Sequence, residues 1–231
     1  MKIYGYQKTT LLDYPGHVAA TIFTGGCNFR CPFCHNSDLV LNPSPSNFIS
    51  EDEILSFLNK RKNVLSGVCI TGGEPTLQTD LSDFIKKVKS LGYKIKLDTN
   101  GYHSEILSDL LAQNLLDYIA MDIKSGYSNY SNVSGIPNLN INNIEKSISI
   151  IENSTIDYEF RTTVVKELHS HKDFYEIADM LSPKSLYYIQ SFKDSGSILT
   201  PGLSSCNTET LNSYLSIIKT KIPHSFLRGI D

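Results

Sequence analysis

The segment GVCITGGEPTLQTDLSDFIKKVKSLGYKIKLDTNG, Gly67 to Gly101, reads as a strand, a helix and a second strand. Gly67 to Thr71 is a short apolar run that stops at Gly72-Gly73. Leu81, Phe84, Ile85, Val88 and Leu91 then recur at the spacing that gathers side chains on one helix face. Gly92 stands where a helix is expected to end on a left-handed residue, and Lys94 to Asp98 is the next strand. Two strands joined through a helix are parallel, with a right-handed crossover.

The unit repeats in both directions. Upstream, Val18 to Phe23 is a strand running into Thr24-Gly25-Gly26, and Asn42 to Asn47, NPSPSN, is a turn-rich linker. Ser50 and Glu53 form a capping box ahead of a helix marked by Ile54, Leu55, Phe57 and Leu58. Downstream, strands are expected at Tyr118 to Ile123, Ile156 to Val165 and Leu186 to Gln190. Helices are marked by Ile106, Leu107, Leu110 and Leu111; by Ile144, Ile148 and Ile151; by Phe174, Ile177, Ala178 and Leu181; and by Leu211, Tyr214, Leu215 and Ile218. About six such units are fewer than the eight of a closed TIM barrel. The expected class is α/β, a partial, open (β/α)6 barrel, although a doubly wound sheet would satisfy the same pattern. In both, ligands bind at the carboxyl ends of the strands.

The chain has 231 residues, 40% of them hydrophobic and 19% charged, enough to build a core without disulfides as one domain over residues 1–231. The 21 Lys and Arg are scattered and the net charge is −3, which disfavours nucleic acid as a partner. Met1 to Thr10 lacks the apolar run of a signal peptide, and no run is long enough to span a membrane. A cytoplasmic protein without membrane partners is expected.

Three of five cysteines fall within eight residues, Cys27-Asn28-Phe29-Arg30-Cys31-Pro32-Phe33-Cys34, a C-x3-C-x2-C spacing just past a strand end. Thiolates are soft ligands suited to zinc or iron-sulfur clusters, and three of them leave a coordination site open. His35 could complete a Cys3His zinc site instead. Cys69, inside an apolar strand, and Cys206, in a loop, read as structural. Polar groups gather at the later strand ends: Thr71-Gly72-Gly73-Glu74-Pro75, Asp98-Thr99-Asn100-Gly101, Met121-Asp122-Ile123-Lys124, and Arg161 to Thr163. In GGEP the glycines permit close approach of a ligand to the backbone, while DTNG and MDIK serve equally as turns or caps.

The cysteine spacing after a strand, followed one strand later by GGE, resembles the radical S-adenosylmethionine superfamily. The resemblance implies a barrel of the radical SAM type and a 4Fe-4S cluster on Cys27, Cys31 and Cys34. The open iron would be chelated by S-adenosylmethionine, which one-electron reduction cleaves to a 5′-deoxyadenosyl radical. Gly72, Gly73 and Glu74 match the motif that meets the methionine amino group. Asp98, Asp122 and Lys124 match the DTNG and D-x-K motifs of glycyl-radical-enzyme activases, which contact the rest of the cofactor. Such activases also carry a ribose-contacting histidine, for which His169 and His171 are both open.

Asp13-Tyr14-Pro15-Gly16 and Cys34-His35-Asn36, with weaker similarity at Gln190-x-Phe192 and Leu227-Arg228-Gly229, narrow the resemblance. It is closest to the activating proteins of anaerobic ribonucleoside-triphosphate reductase, with pyruvate formate-lyase activating enzyme more distant. The implied reaction is hydrogen abstraction from a glycine Cα of a partner glycyl radical enzyme, with flavodoxin or ferredoxin as electron donor. No cysteine pairs between Cys34 and Cys69 suggest a ferredoxin-like insert. The alternatives are a small-molecule radical enzyme resembling 7-carboxy-7-deazaguanine synthase and a non-catalytic zinc module.

Overall fold

The computed structural model describes residues 1–41, 48–194 and 196–230, so the linker expected at 42–47 lies outside the described residues. Eight strands form one sheet in chain order: β1 (Ile3–Thr10), β2 (Ala19–Thr24), β3 (Gly67–Gly72), β4 (Lys94–Thr99), β5 (Tyr118–Asp122), β6 (Asp157–Val164), β7 (Tyr187–Ser191) and β8 (Ser225–Arg228). From β2 to β8 every pair is parallel, while β1 runs antiparallel to β2. Among the described residues β1 and β8 do not pair with each other, so the sheet stays open.

The helices are α1 (Ser37–Leu41), α2 (Glu51–Lys60), α3 (Leu81–Ser90), α4 (Ser104–Ala112), α5 (Tyr130–Ser134), α6 (Ile141–Glu152), α7 (His171–Met180) and α8 (Thr208–Lys219). The six expected strands are β2 to β7, each leading to one of the expected helices, which makes the (β/α)6 repeat. Helix α3 buries Leu81, Phe84, Ile85 and Val88, the residues that mark it in the sequence. Burying an apolar side chain of this size stabilises by about 1.5–3 kcal/mol. Gly92 follows α3 at φ +94°, the left-handed conformation expected past a helix end. At α2 the Ser50 side chain accepts from the Glu53 N–H, one half of the expected capping box.

Strands β1 and β8 have no counterpart among the expected elements. Strand β1 is an edge strand whose side chains are mostly exposed or half-buried, so it lacks a clean alternation. Strand β8 has only four residues and is held by side chains: Arg228 forks onto the buried Glu159 at 2.8 and 2.9 Å and lies 3.6 Å above the Tyr188 ring. This gives the Leu227-Arg228-Gly229 segment a structural task. The DYPG segment is a turn, as expected, closed by His17 N–H donating to the Tyr14 carbonyl at 3.1 Å, with Gly16 at φ +76°. The turn also brings Tyr14 to 5.9 Å from Tyr118, and the Asp13 carboxylate accepts from Thr21 at 2.5 Å.

Register places the motifs side by side. Thr24 pairs with Gly72, so the cysteine loop and the GGEP loop leave adjacent strands at one level. Asp98 lies opposite Ala120, and Asp122 opposite Arg161. Because side chains alternate between faces, Lys96, Asp98, Glu159 and Arg161 share the inner face.

Candidate active site

The cysteine loop is fixed from three sides. Gly26 N–H donates to Leu39 O at 2.7 Å, Arg30 N–H donates to Ser134 O of α5 at 2.8 Å, and the Arg30 guanidinium returns to Cys27 O at 2.5 Å. Phe29 N–H points at Cys27 Sγ at 3.3 Å, and Cys31 Sγ lies 3.8 Å from Ser134 O. All three cysteines are free thiols and line one cavity with Gly72, Gly73, Glu74, Asp98, Asp122 and Lys124, so every sequence-selected site residue meets there. Burial pushes the Cys27 thiol up to about 12, reinforced by Glu74, and Cys31 up to about 11. Such thiols are protonated at neutral pH and ionise when a cation binds them.

The donor set fits an iron-sulfur cluster in two respects. The thiols share one cavity, and beside Cys27 the buried Asn28 Nδ2 has no hydrogen-bond partner. Among the described residues, no three His, Cys, Asp or Glu side chains converge on a single ion. A zinc site requires that convergence, whereas thiolates on a cluster bind different irons. The ring of His35 stacks on Phe192 at 5.4 Å.

The GGEP loop is sewn to the cysteine loop by Gly73 N–H to Thr24 O and Glu74 N–H to Gly26 O, both 2.8 Å. A Cβ on Gly73 would lie 1.9 Å from Gly26 O, so this glycine allows two backbones to cross. The Glu74 carboxylate is 1% exposed and takes four internal donors: Thr76 N–H at 3.1 Å, Thr76 Oγ1 at 2.6 Å, Thr99 Oγ1 at 2.8 Å and Asn100 N–H at 2.7 Å. Asn100 in turn donates to Asn28 Oδ1 at 2.7 Å, joining the third strand end to the cysteine loop.

Below this rim lies a buried chain of charges. Asp98 pairs with Lys96 through Oδ1 and with Arg161 through Oδ2 at 3.1 Å, while Asp122 takes Arg161 Nε at 2.6 Å and Lys124 Nζ at 2.9 Å. Burial alone would raise both carboxylic acids; Arg161 outweighs it, aided by Lys96 at Asp98 and by Lys124 at Asp122, and holds both below the ordinary carboxylate range. Burial likewise opposes the charge of Lys124, but Asp122 and Cys31 raise it above the usual lysine range. The site therefore presents fixed, paired charges beside buried thiols.

The family model described as the radical SAM superfamily matches residues 21–181. A protein of Methanocaldococcus jannaschii named as a glycyl-radical enzyme activating enzyme is 32% identical over 195 residues, 83% of this chain and 80% of its own length. The chain belongs to the radical SAM superfamily. Within that superfamily it falls with the glycyl-radical-enzyme activating proteins, and it is an enzyme of the radical SAM class. The pyruvate formate-lyase-activating enzyme of Clostridium pasteurianum is 31% identical over 128 residues, 53% of this chain and 52% of that enzyme. Among solved structures, SuiB of Streptococcus suis with S-adenosylmethionine bound superposes with a TM-score of 0.65 at 16% identity, over 89% of this chain and 49% of SuiB. That likeness bears on the fold alone. The chain spans about half the length of SuiB and of the Clostridium enzyme. No helix among the described residues is long and apolar enough to cross a membrane.

Neither open histidine lines the radical SAM cavity. His169 is buried, with Nδ1 on the Val165 backbone and Nε2 2.9 Å from Lys124 O; burial lowers its pKa. His171 meets Ser213 at 3.1 Å and packs edge-on against Tyr214. Arg161 and Asn100 carry much of the site's connectivity, although neither was singled out among the sequence-selected site residues. The sequence carries a usable signal for Arg161: Asp157, Glu159, Arg161 and Thr163 place polar groups at every second position of a strand, alternating with Tyr158, Phe160, Thr162 and Val164, of which the last three are buried.

Proposed function

We propose that this radical SAM enzyme activates a glycyl radical enzyme, and that the enzyme served is an anaerobic ribonucleoside-triphosphate reductase. The supporting observation is the convergence of Cys27, Cys31 and Cys34 with Gly72, Gly73, Glu74, Asp98, Asp122 and Lys124 on one cavity. The DYPG and CHN segments and the Methanocaldococcus relative favour a protein glycine as the target.

In this reading Cys27, Cys31 and Cys34 hold a 4Fe-4S cluster. Bound there, the cluster supplies the electron for reductive cleavage of S-adenosylmethionine, which yields the hydrogen-abstracting 5′-deoxyadenosyl fragment. The Gly72-Gly73-Glu74 turn frames the amino end of S-adenosylmethionine. Lys124 and the Asp98-Arg161-Asp122 group present preorganised charge to its other polar parts. The chain's task is to position the ligand and exclude water, because a primary alkyl radical attacks almost any nearby C–H. Flavodoxin or ferredoxin is the electron donor in this scheme, and the chain works as one domain.

The test is anaerobic. Protein reconstituted with iron and sulfide, reduced with dithionite and mixed with S-adenosylmethionine and an anaerobic ribonucleoside-triphosphate reductase should give 5′-deoxyadenosine and a glycyl doublet in the EPR spectrum. Turnover of a small molecule without a glycyl signal from any glycyl radical enzyme would refute the activase assignment. A colourless protein binding one zinc would refute the cluster as well.

A further inference from the structure

Asn100 is buried, lines the cavity beside Cys27, and has a partner for each polar atom of its side chain. Its Oδ1 accepts the Tyr102 N–H at 3.0 Å, which fixes the way the amide faces. Its Nδ2 therefore points into the cysteine loop, donating to Asn28 Oδ1 at 2.7 Å and reaching Cys27 Sγ at 3.8 Å. An amide nitrogen carries two hydrogens, and these two acceptors take both. The backbone anchors the residue from the other side, since Asn100 N–H donates to the buried Glu74 carboxylate at 2.7 Å. Phe29 N–H meets the same Cys27 sulfur at 3.3 Å. As a thiol, Cys27 also donates toward Asn28 Oδ1 at 3.8 Å. Iron binding takes that hydrogen away and leaves the sulfur an acceptor alone.

We propose that the Asn100 amide donates a hydrogen bond to the Cys27 sulfur of the bound cluster and thereby makes that cluster easier to reduce. The inference rests on the reading that Cys27, Cys31 and Cys34 hold a cluster. A donor on a ligand sulfur stabilises the reduced, more negative cluster more than the oxidised one and so raises its potential. The 3.8 Å contact is long while the sulfur is a neutral thiol, and negative charge on the acceptor strengthens such a bond. With its oxygen on Tyr102 and both hydrogens on protein acceptors, the amide has no donor left for S-adenosylmethionine. The DTNG segment thus serves the cluster as well as its own turn.

Asn100→Ser keeps an oxygen able to accept the Tyr102 N–H and removes the amide nitrogen. Parent and variant are reconstituted anaerobically without S-adenosylmethionine, their iron and sulfide are counted, and the cluster is titrated by EPR against redox mediators. The variant should take up the same iron and sulfide, with its reduction equilibrium moved about tenfold toward the oxidised form, ~59 mV more negative for one electron. A midpoint equal to the parent's or higher overturns the inference and leaves the cluster assignment standing. That holds even where the metal-free variant melts below the parent, because a purely structural role moves the melt and not the potential. If the variant cannot be loaded, the parent decides. Grown on asparagine labelled with nitrogen-15 in the side-chain amide, the reduced parent should show a nitrogen-15 hyperfine coupling to the cluster, and its absence overturns the inference. Asn28 turns its oxygen to Cys27, so the coupling reports Asn100. A parent that takes up no iron and sulfide removes the cluster assignment and this inference together.

Discussion

Substituting Gly73→Ala tests whether the GGEP glycine is required by the protein's own backbone. A Cβ at this position would lie 1.9 Å from Gly26 O and 2.7 Å from Gly26 C, against backbone on both counts, so no side chain can swing away to make room. Separating the two loops by more than 1 Å breaks the Glu74 N–H to Gly26 O bond and strains the Gly73 N–H to Thr24 O bond, both 2.8 Å. Two such bonds contribute about 1–3 kcal/mol net, and overpacking adds about 1–3 kcal/mol. The sum of about 2–6 kcal/mol lowers the melting temperature by roughly 4 °C at the least and 24 °C at the most for a chain of this size. Gly26→Ala is the control. Gly26 sits at φ +82° with nothing within 4 Å of its Cβ position, so only the left-handed conformation is strained, at roughly 1–2 kcal/mol. Thermal melts of the metal-free proteins, followed by circular dichroism, measure both. The ordering Gly73→Ala below Gly26→Ala is the result expected. A Gly73→Ala protein that melts within 2 °C of the parent would refute the crossing-backbone account and return the glycine to a purely ligand-facing role.

Arg161→Met leaves Asp98 and Asp122 buried with reduced compensation and should cost about 3–5 kcal/mol in urea unfolding at neutral pH. Both acids lie below their ordinary range when folded, so their contribution is complete above about pH 4 and is lost as pH falls through the depressed values; the variant should begin acid unfolding at a higher pH than the parent. In metal-free protein at pH 8, the thiolate fractions should make iodoacetamide modify Cys31 about 200-fold and Cys27 about 2,000-fold more slowly than a thiol of ordinary pKa, about 8.5, because burial holds them near 11 and 12. The same shifts make the metal-free fold lose stability as pH rises above about 8.5 toward those values, which a pH series of melts checks; mass spectrometry of the alkylated peptides reads the first effect. His169→Leu breaks the bonds to Val165 and Lys124 and should destabilise by about 2–4 kcal/mol, whereas His171→Ala should leave both the melting temperature and the calorimetric affinity for S-adenosylmethionine unchanged.

The parallel strands and their helices were legible because each buries an apolar stripe: Leu81, Phe84, Ile85 and Val88 appear in the sequence at the spacing with which they pack. Strand β1 was not, because an edge strand with several exposed side chains has little pattern to read, and four-residue β8 depends on Arg228, whose partner Glu159 is 69 residues away. At the site, the nine selected residues converge because each sits at the carboxyl end of a parallel strand or in the loop just beyond it. The chain's own bonds among them were invisible. Nothing local says that the Glu74 carboxylate takes four internal donors, or that Arg161 bridges two aspartates from neighbouring strands. Nor does spacing show that His169 is tied to the Lys124 carbonyl, since that contact depends on how the loop after β6 folds back.

The inner face of this sheet differs from the usual interior of a barrel, which is filled by branched apolar side chains. Here Lys96, Asp98, Glu159 and Arg161 occupy it, with Lys96 only 2% exposed. Buried ion pairs add little net stability compared with apolar side chains of similar volume, so the fold must draw its stability from the layer between sheet and helices. What the charged interior provides is order. Each carboxylate is held by two cations and Arg161 by two aspartates, so the charges beneath the rim are fixed before any ligand arrives and need little rearrangement when one does. Exposure of the charged side chains rises from 2% at Lys96, through 13% at Asp98, to 28% at Asp122. The network therefore grades from a closed, rigid interior to a rim open to solvent, and it is at that rim that the three thiols stand.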